Sequence, residues 1–273
     1  MNWYAASPRM VLMTDLLLQL DVRTLMAVLL LGNATSVALI LCHRLAQSHM
    51  PGEQPGGMYL YVKALQTVAY LLLMGRDTLP LALSVNLGNS LLMAGFYFEA
   101  LAMLSLIGAE GRTARWLGWL LFICIAGFNA AELLRPDTSL RVALSSIGVF
   151  LILVVPNVRL LLSVRTTRFI QCVGLFYSGF IVVLVPRTVQ AFLYPTSILS
   201  NTHTPIQSLT FLAMVMLLVF SLSAYLLLMK EESDKMIAAM ATTDFLTSLA
   251  NRRHFYDTAA ALFRRQATTW NTS

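Results

Sequence analysis

Seven apolar runs dominate the chain, at positions 24–42, 58–75, 79–107, 116–134, 140–163, 169–193 and 206–229, with short polar segments between them. Each is about the twenty residues that a helix needs to cross a hydrocarbon core of roughly 30 Å. Strand-like alternation of apolar and polar positions is absent, and an open sheet could not satisfy its backbone in lipid. The pattern predicts an all-α membrane protein with seven transmembrane helices. Residues 1–20 have neither a basic n-region nor an apolar core long enough for a signal peptide, and fit a short interfacial helix instead.

The last run behaves differently from the others. From Gln207 to Thr243 there is no proline or glycine, and the apolar stretch passes directly into Lys230-Glu231-Glu232-Ser233-Asp234-Lys235. Leu222, Leu226, Met229, Ser233, Met236, Met240 and Thr243 follow one another at alternating intervals of four and three, the spacing of a heptad seam. A rod of this length, on the order of 55 Å at 1.5 Å per residue, can cross the bilayer and leave it. The expectation is a helix that continues as a cytoplasmic signalling helix over 230–243 and pairs, weakly because Ser233 interrupts the seam, with a second copy through 222–243. A juxtamembrane helix that fades into a linker explains the same residues.

Composition narrows the class. The chain is 58% hydrophobic and 12% charged, with a mean hydropathy of +0.71, whereas soluble domains carry roughly a quarter charged residues. The net charge of +6 does not form one basic face, so no nucleic-acid partner is indicated. The Lys and Arg residues instead read as topology signals. With the carboxyl end inside, Arg44, Arg112, Arg115, Arg159, Arg165, Arg168, Lys230 and Lys235 face inward and Arg9, Arg23, Arg76, Arg135 and Arg141 face outward, an excess of eight over five. That predicts a multi-pass membrane protein, amino end outside and carboxyl end cytoplasmic. Cys42, Cys124 and Cys172 have no paired spacing and read as buried free thiols, and the scattered His43, His49, His203 and His254 support neither metal nor haem.

Polar residues inside the spans are costly in hydrocarbon and usually face a bundle interior. Glu99 is the deepest acid. Lys63 lies only a few residues from the end of its span, which predicts snorkelling to the interface, while pairing with Glu99 stays open. Asn86, Asn89, Asn129, Glu132, Arg187 and Gln190 fall in the outer half and are the candidate lining of a sensor pocket; hydrogen bonding between helices, with no ligand, is the simpler account of the same residues. Pro156 is expected to break the fifth span and Pro186 to open the sixth, and Gly174-x-x-x-Ser178 offers a flat face for close packing.

After the signalling helix the chain changes character. Asp244-x-Leu246-Thr247-x-Leu249-x-Asn251-Arg252-Arg253-x-Phe255 supplies a capping group, apolar anchors, an amide able to read a purine edge and two fixed cations. Set directly behind a membrane span and a short stalk, this stretch resembles the opening of a GGDEF diguanylate cyclase domain. The resemblance implies that Asp244, Leu246 and Thr247, with Arg252 and Arg253 beside them, form the joint to an α/β catalytic domain, and that Asn251 contacts the guanine of GTP. Ser248 stands where glycine is more usual, and Ala260 stands where some members place an acid against the base. The family condenses two GTP into cyclic di-GMP with Mg²⁺, and its core extends on the order of a hundred residues further. No signature loop or metal-binding aspartates follow here, so the chain as written is expected to be inactive, with no catalytic or metal site and no bound cofactor of its own.

The implied organisation is an outer-face segment 1–23, a sensory domain 24–229 that answers to an unidentified stimulus, a signalling helix 230–243 and the truncated start of a GGDEF domain at 244–273. Two other readings stand beside it: a catalytically dead GGDEF-type receptor, and a membrane binding or transport protein whose tail is incidental. The transport reading calls for opposed broken helices at mid-membrane, and Pro156 and Pro186 lie near span ends.

Overall fold

A computed structural model describes residues 21–46, 57–109, 111–163, 168–193 and 204–242 of the 273-residue chain. The expected amino-terminal interfacial helix, the loop 194–203, Thr243 and the whole 244–273 segment with its Asp244–Phe255 motif lie outside those residues. Among the described residues the chain is helical and contains no strand. Seven helices are long and apolar enough to cross a membrane. The protein is therefore a multi-pass helical membrane protein.

The helices are α1 (Val22–Ala46), α2 (Gly57–Met74), α3 (Gly88–Ser105), α4 (Gly111–Leu134), α5 (Thr138–Leu162), α6 (Arg168–Leu193) and α7 (Pro205–Thr242). A 3₁₀ turn at Gly75–Asp77 and a π-helical stretch at Ala82–Leu87 join α2 to α3, so the third span begins with a wider helix than its pattern suggests. Local chemistry sets the ends. The Asp21 carboxylate accepts from the backbone N–H groups of Arg23 (3.2 Å) and Thr24 (3.3 Å) and caps α1. Asp137 caps α5 by accepting from Ser139 N–H at 2.8 Å. Pro205 opens α7 behind Thr204, whose hydroxyl accepts from Gln207 N–H at 3.3 Å. At the other end of α3, Gly108 takes φ +63°. This left-handed residue lets Ala109 N–H reach Leu104 C=O at 3.0 Å and Gly108 N–H reach Ser105 C=O at 3.1 Å, which closes the last turn.

The chain divides into two compact units, 1–223 and 224–273. The first holds the bundle. Within it α1 packs on α2, α2 on α3, α3 on α5, and α5 on both α4 and α6. The seam between α5 and α6 follows the small-residue spacing: a Cβ on Gly174 would lie 2.8 Å from Leu161 Cδ2. Ser178 Oγ, one turn on, accepts from Asn157 Nδ2 at 2.8 Å. Phe176 stacks on Phe220 at 3.8 Å and so ties α6 to α7. Large apolar side chains such as Leu31, Trp119, Phe122 and Val182 point outward and remain exposed, an arrangement suited to lipid. The described part of the second unit is the remainder of α7, helical to Thr242.

Three expectations need correction. Neither Pro156 nor Pro186 breaks its helix, since α5 runs on to Leu162 and α6 to Leu193. A proline removes one backbone donor, and packed neighbours hold the rest of the helix in register. Cys42 and Cys172 are exposed on the bundle surface and Cys124 is half-buried, so these free thiols are not core groups. An apolar run places a cysteine within a span but leaves open which side it faces. Lys63, finally, does not snorkel, as described next.

Candidate functional site

The deepest polar feature of the bundle is built on α2. One helical turn separates Lys63 from Gln66 and another separates it from Tyr59, so the three side chains share a face of that helix. That face points inward. Lys63 is 1% exposed, and its Nζ lies 3.7 Å from Glu99 Oε1 on α3. The ammonium also donates to Ser221 Oγ on α7 at 3.0 Å and to Gln66 Oε1 at 3.3 Å. It sits 5.0 Å from the centre of the Tyr59 ring. The carboxylate of Glu99 is satisfied from two further sides, by Gln66 Nε2 at 2.9 Å and by the Tyr177 hydroxyl of α6 at 2.7 Å. Tyr59 donates to Ser221 Oγ at 2.8 Å. Four helices, α2, α3, α6 and α7, thus meet on one buried ion pair.

Its partners, not burial, explain why Lys63 stays there. A lone ammonium in this interior would be driven to the interface, but here a carboxylate and two neutral oxygens replace its hydration shell. A void of about 10 Å³ adjoins the pair, lined by Asn33, Gln66 and Tyr70 among others. Asn33 Nδ2 donates to Leu29 C=O at 2.7 Å, while its buried Oδ1 has no protein partner. The space is close to that of one water molecule.

A second, larger cavity of about 530 Å³ opens at the end of the bundle where α1, α5 and α7 begin. Its polar rim carries Arg23, Arg76, Asp77, Arg141 and Arg187, and its wall is largely apolar. Two of these arginines are matched. Arg23 Nη2 meets Asp77 Oδ2 at 2.8 Å. Arg141 grips Glu132 through Nη2–Oε1 at 2.5 Å and Nε–Oε2 at 3.1 Å, a bidentate pair across the α4–α5 turn. Arg187 lies against Phe211, 5.8 Å from the ring centre. Among the described residues neither Arg76 nor Arg187 has a carboxylate within ion-pair distance. Tyr70 and Met214 line both this cavity and the small void, so the charged network lies just behind the cavity floor. Tyr70 OH contacts Met214 Sδ at 3.5 Å.

Of the six polar residues expected to line a pocket, Asn89 and Arg187 do so. Glu132 is one contact removed, through Arg141. Asn129 donates to Ser90 Oγ at 3.1 Å and holds α4 to α3. Gln190 Oε1 accepts from Thr204 at 3.4 Å, and Asn86 is half-buried on the π-helical stretch. Reading the sequence missed Arg76 and Arg141 as cavity residues, and Gln66, Tyr177 and Ser221 as partners of the ion pair. The Lys63–Gln66 interval on an apolar helix was the one local signal; the other partners come from distant helices. No cluster of His, Cys, Asp and Glu among the described residues could hold a metal ion. Compared with models of known families, with curated proteins and with solved structures, the chain matches none.

Proposed function

We propose that this chain is the membrane sensory and transducing region of a diguanylate cyclase of a bacterial inner membrane, with the amino end outside and the carboxyl end in the cytoplasm. The cavity at the outer end receives the stimulus. One observation carries the reading: α7 contributes Gln207, Phe211 and Met214 to that cavity, and the same helix runs to Thr242, two residues before the Asp244 motif. A ligand that favours one placement of α7 over another shifts the population of the two, by no more than its difference in affinity for them. Two copies joined through the 222–243 seam bring their output segments together or apart.

In this proposal Asp244, Leu246 and Thr247 join the helix to the catalytic domain, Arg252 and Arg253 flank the joint, and Asn251 reads guanine. GTP and Mg²⁺ belong to sequence that continues the motif, where phosphate and metal stabilisation drive the condensation. The test is to express this chain with the coding sequence downstream of Ser273 and to supply membranes with GTP and Mg²⁺. Cyclic di-GMP is the expected product, lost on Asn251→Ala; membranes that make none under any stimulus overturn the proposal.

A further inference from the structure

The charge balance of the outer cavity defines its ligand more closely, given the proposal that this cavity is the sensory site. Among the described residues four guanidinium groups line it, from Arg23, Arg76, Arg141 and Arg187, against one lining carboxylate, that of Asp77. Asp77 is taken by Arg23 and Glu132, just outside, by Arg141. Among the described residues neither Arg76 nor Arg187 is in an ion pair, so the lining keeps a net positive charge. Guanidinium does not shed its proton at any working pH, so Arg76 and Arg187 cannot relieve the imbalance by becoming neutral. Arg187 is the more telling of the two, because it is half-buried on α6, close to the aromatic ring of Phe211.

The rest of the wall is of opposite character. Met26, Leu73, Leu92, Val149, Leu184 and Phe211 present hydrocarbon to the same space. A volume of about 530 Å³ falls within the range of small-molecule sites, roughly 300–1,000 Å³. A cation is repelled by such a rim, and a small inorganic anion leaves the apolar wall unused.

We infer that the cavity binds an amphiphilic anion, its carboxylate or phosphate held by Arg187 and Arg76 and its hydrocarbon tail laid along the apolar wall. Fork-like pairing of guanidinium with a carboxylate or phosphate supplies the head contact. Two sources offer this chemistry, a free fatty-acid-like molecule and an anionic phospholipid of the surrounding leaflet.

The experiment uses the whole chain in nanodiscs of phosphatidylcholine alone, with radiolabelled decanoate as probe, 1-decanol as its uncharged counterpart and empty nanodiscs as baseline. Saturable decanoate binding is expected, at least tenfold tighter than decanol, and at least tenfold weaker in both Arg187→Gln and Arg76→Gln. Thermal unfolding of the two variants shows that each is folded before its binding is read. If phosphatidylglycerol in the disc displaces decanoate, the natural ligand is a lipid; if it does not, the ligand arrives free. Both results support the site. Equal binding of decanol and decanoate, or wild-type binding in both variants, overturns it. Because the assay reads binding without any cyclase output, its failure leaves the transducer proposal standing, and loss of that proposal leaves a positive binding result intact.

Discussion

Replacing Lys63 by methionine keeps the length of the side chain and removes the one cation of the buried network. Glu99, 2% exposed, is then left with donors from Gln66 (2.9 Å) and Tyr177 (2.7 Å) and no countercharge. Removing one partner of a buried pair destabilises by about 3–5 kcal/mol, because the orphaned charge stays buried. A hydrogen bond between membrane helices is worth about 0.6 kcal/mol on average, so Ser221→Ala, which deletes the 3.0 Å acceptor of Lys63 and the 2.8 Å acceptor of Tyr59, sets the lower comparison. Lys63→Met should therefore cost about 3 kcal/mol and Ser221→Ala about 1. Glu99→Gln should resemble Lys63→Met, and the double variant should be no worse than either single one, since both charges are gone together. Unfolding by sodium dodecyl sulfate in mixed micelles, followed by fluorescence of the four tryptophans, measures all four variants on one scale. Additive losses in the double variant, or a Lys63→Met cost below about 1 kcal/mol, would refute the reasoning from burial.

Two further perturbations follow from the same packing. The Arg23–Asp77 pair has side chains 80% and 69% exposed, and the Arg141–Glu132 pair 10% and 9%. Asp77→Asn is expected to cost under about 1 kcal/mol and Glu132→Gln about 3, so the same unfolding assay should separate them clearly; equal costs would contradict the account. Gly174→Val places a Cβ 2.8 Å from Leu161 Cδ2 at the α5–α6 seam and should destabilise by about 1–3 kcal/mol, whereas Gly127→Ala, with open space around it, should be nearly silent.

The seven spans were legible because apolar length is a local property: all seven predicted runs become helices, with ends shifted by a few residues. The small-residue interval Gly174 to Ser178 was legible for the same reason. Distance from the end of the span does not set the depth of Lys63; its place is decided by Glu99, Ser221 and Tyr59, which surround it from three helices and lie far from it in sequence, Tyr59 excepted. The cavity was legible in part. Asn89 and Arg187 stand out as polar groups within apolar runs, but Arg76 and Arg141 sit in turns where basic residues are ordinary. Only the folded arrangement brings them to one rim. The length of α7 was legible too, because no proline or glycine interrupts the run from Gln207, and the helix reaches Thr242.

The central claim, that α7 carries a change in the bundle to the segment beginning at Asp244, is tested most directly by altering the phase of that helix. One residue inserted after Lys230 rotates everything beyond it by about 100°, whereas seven inserted residues restore the heptad. Cyclic di-GMP formed by membranes carrying this chain with its downstream sequence is the readout. The single insertion should change the output severalfold and the seven-residue insertion should return it towards the starting level; identical output from both would contradict a mechanism that depends on the register of α7.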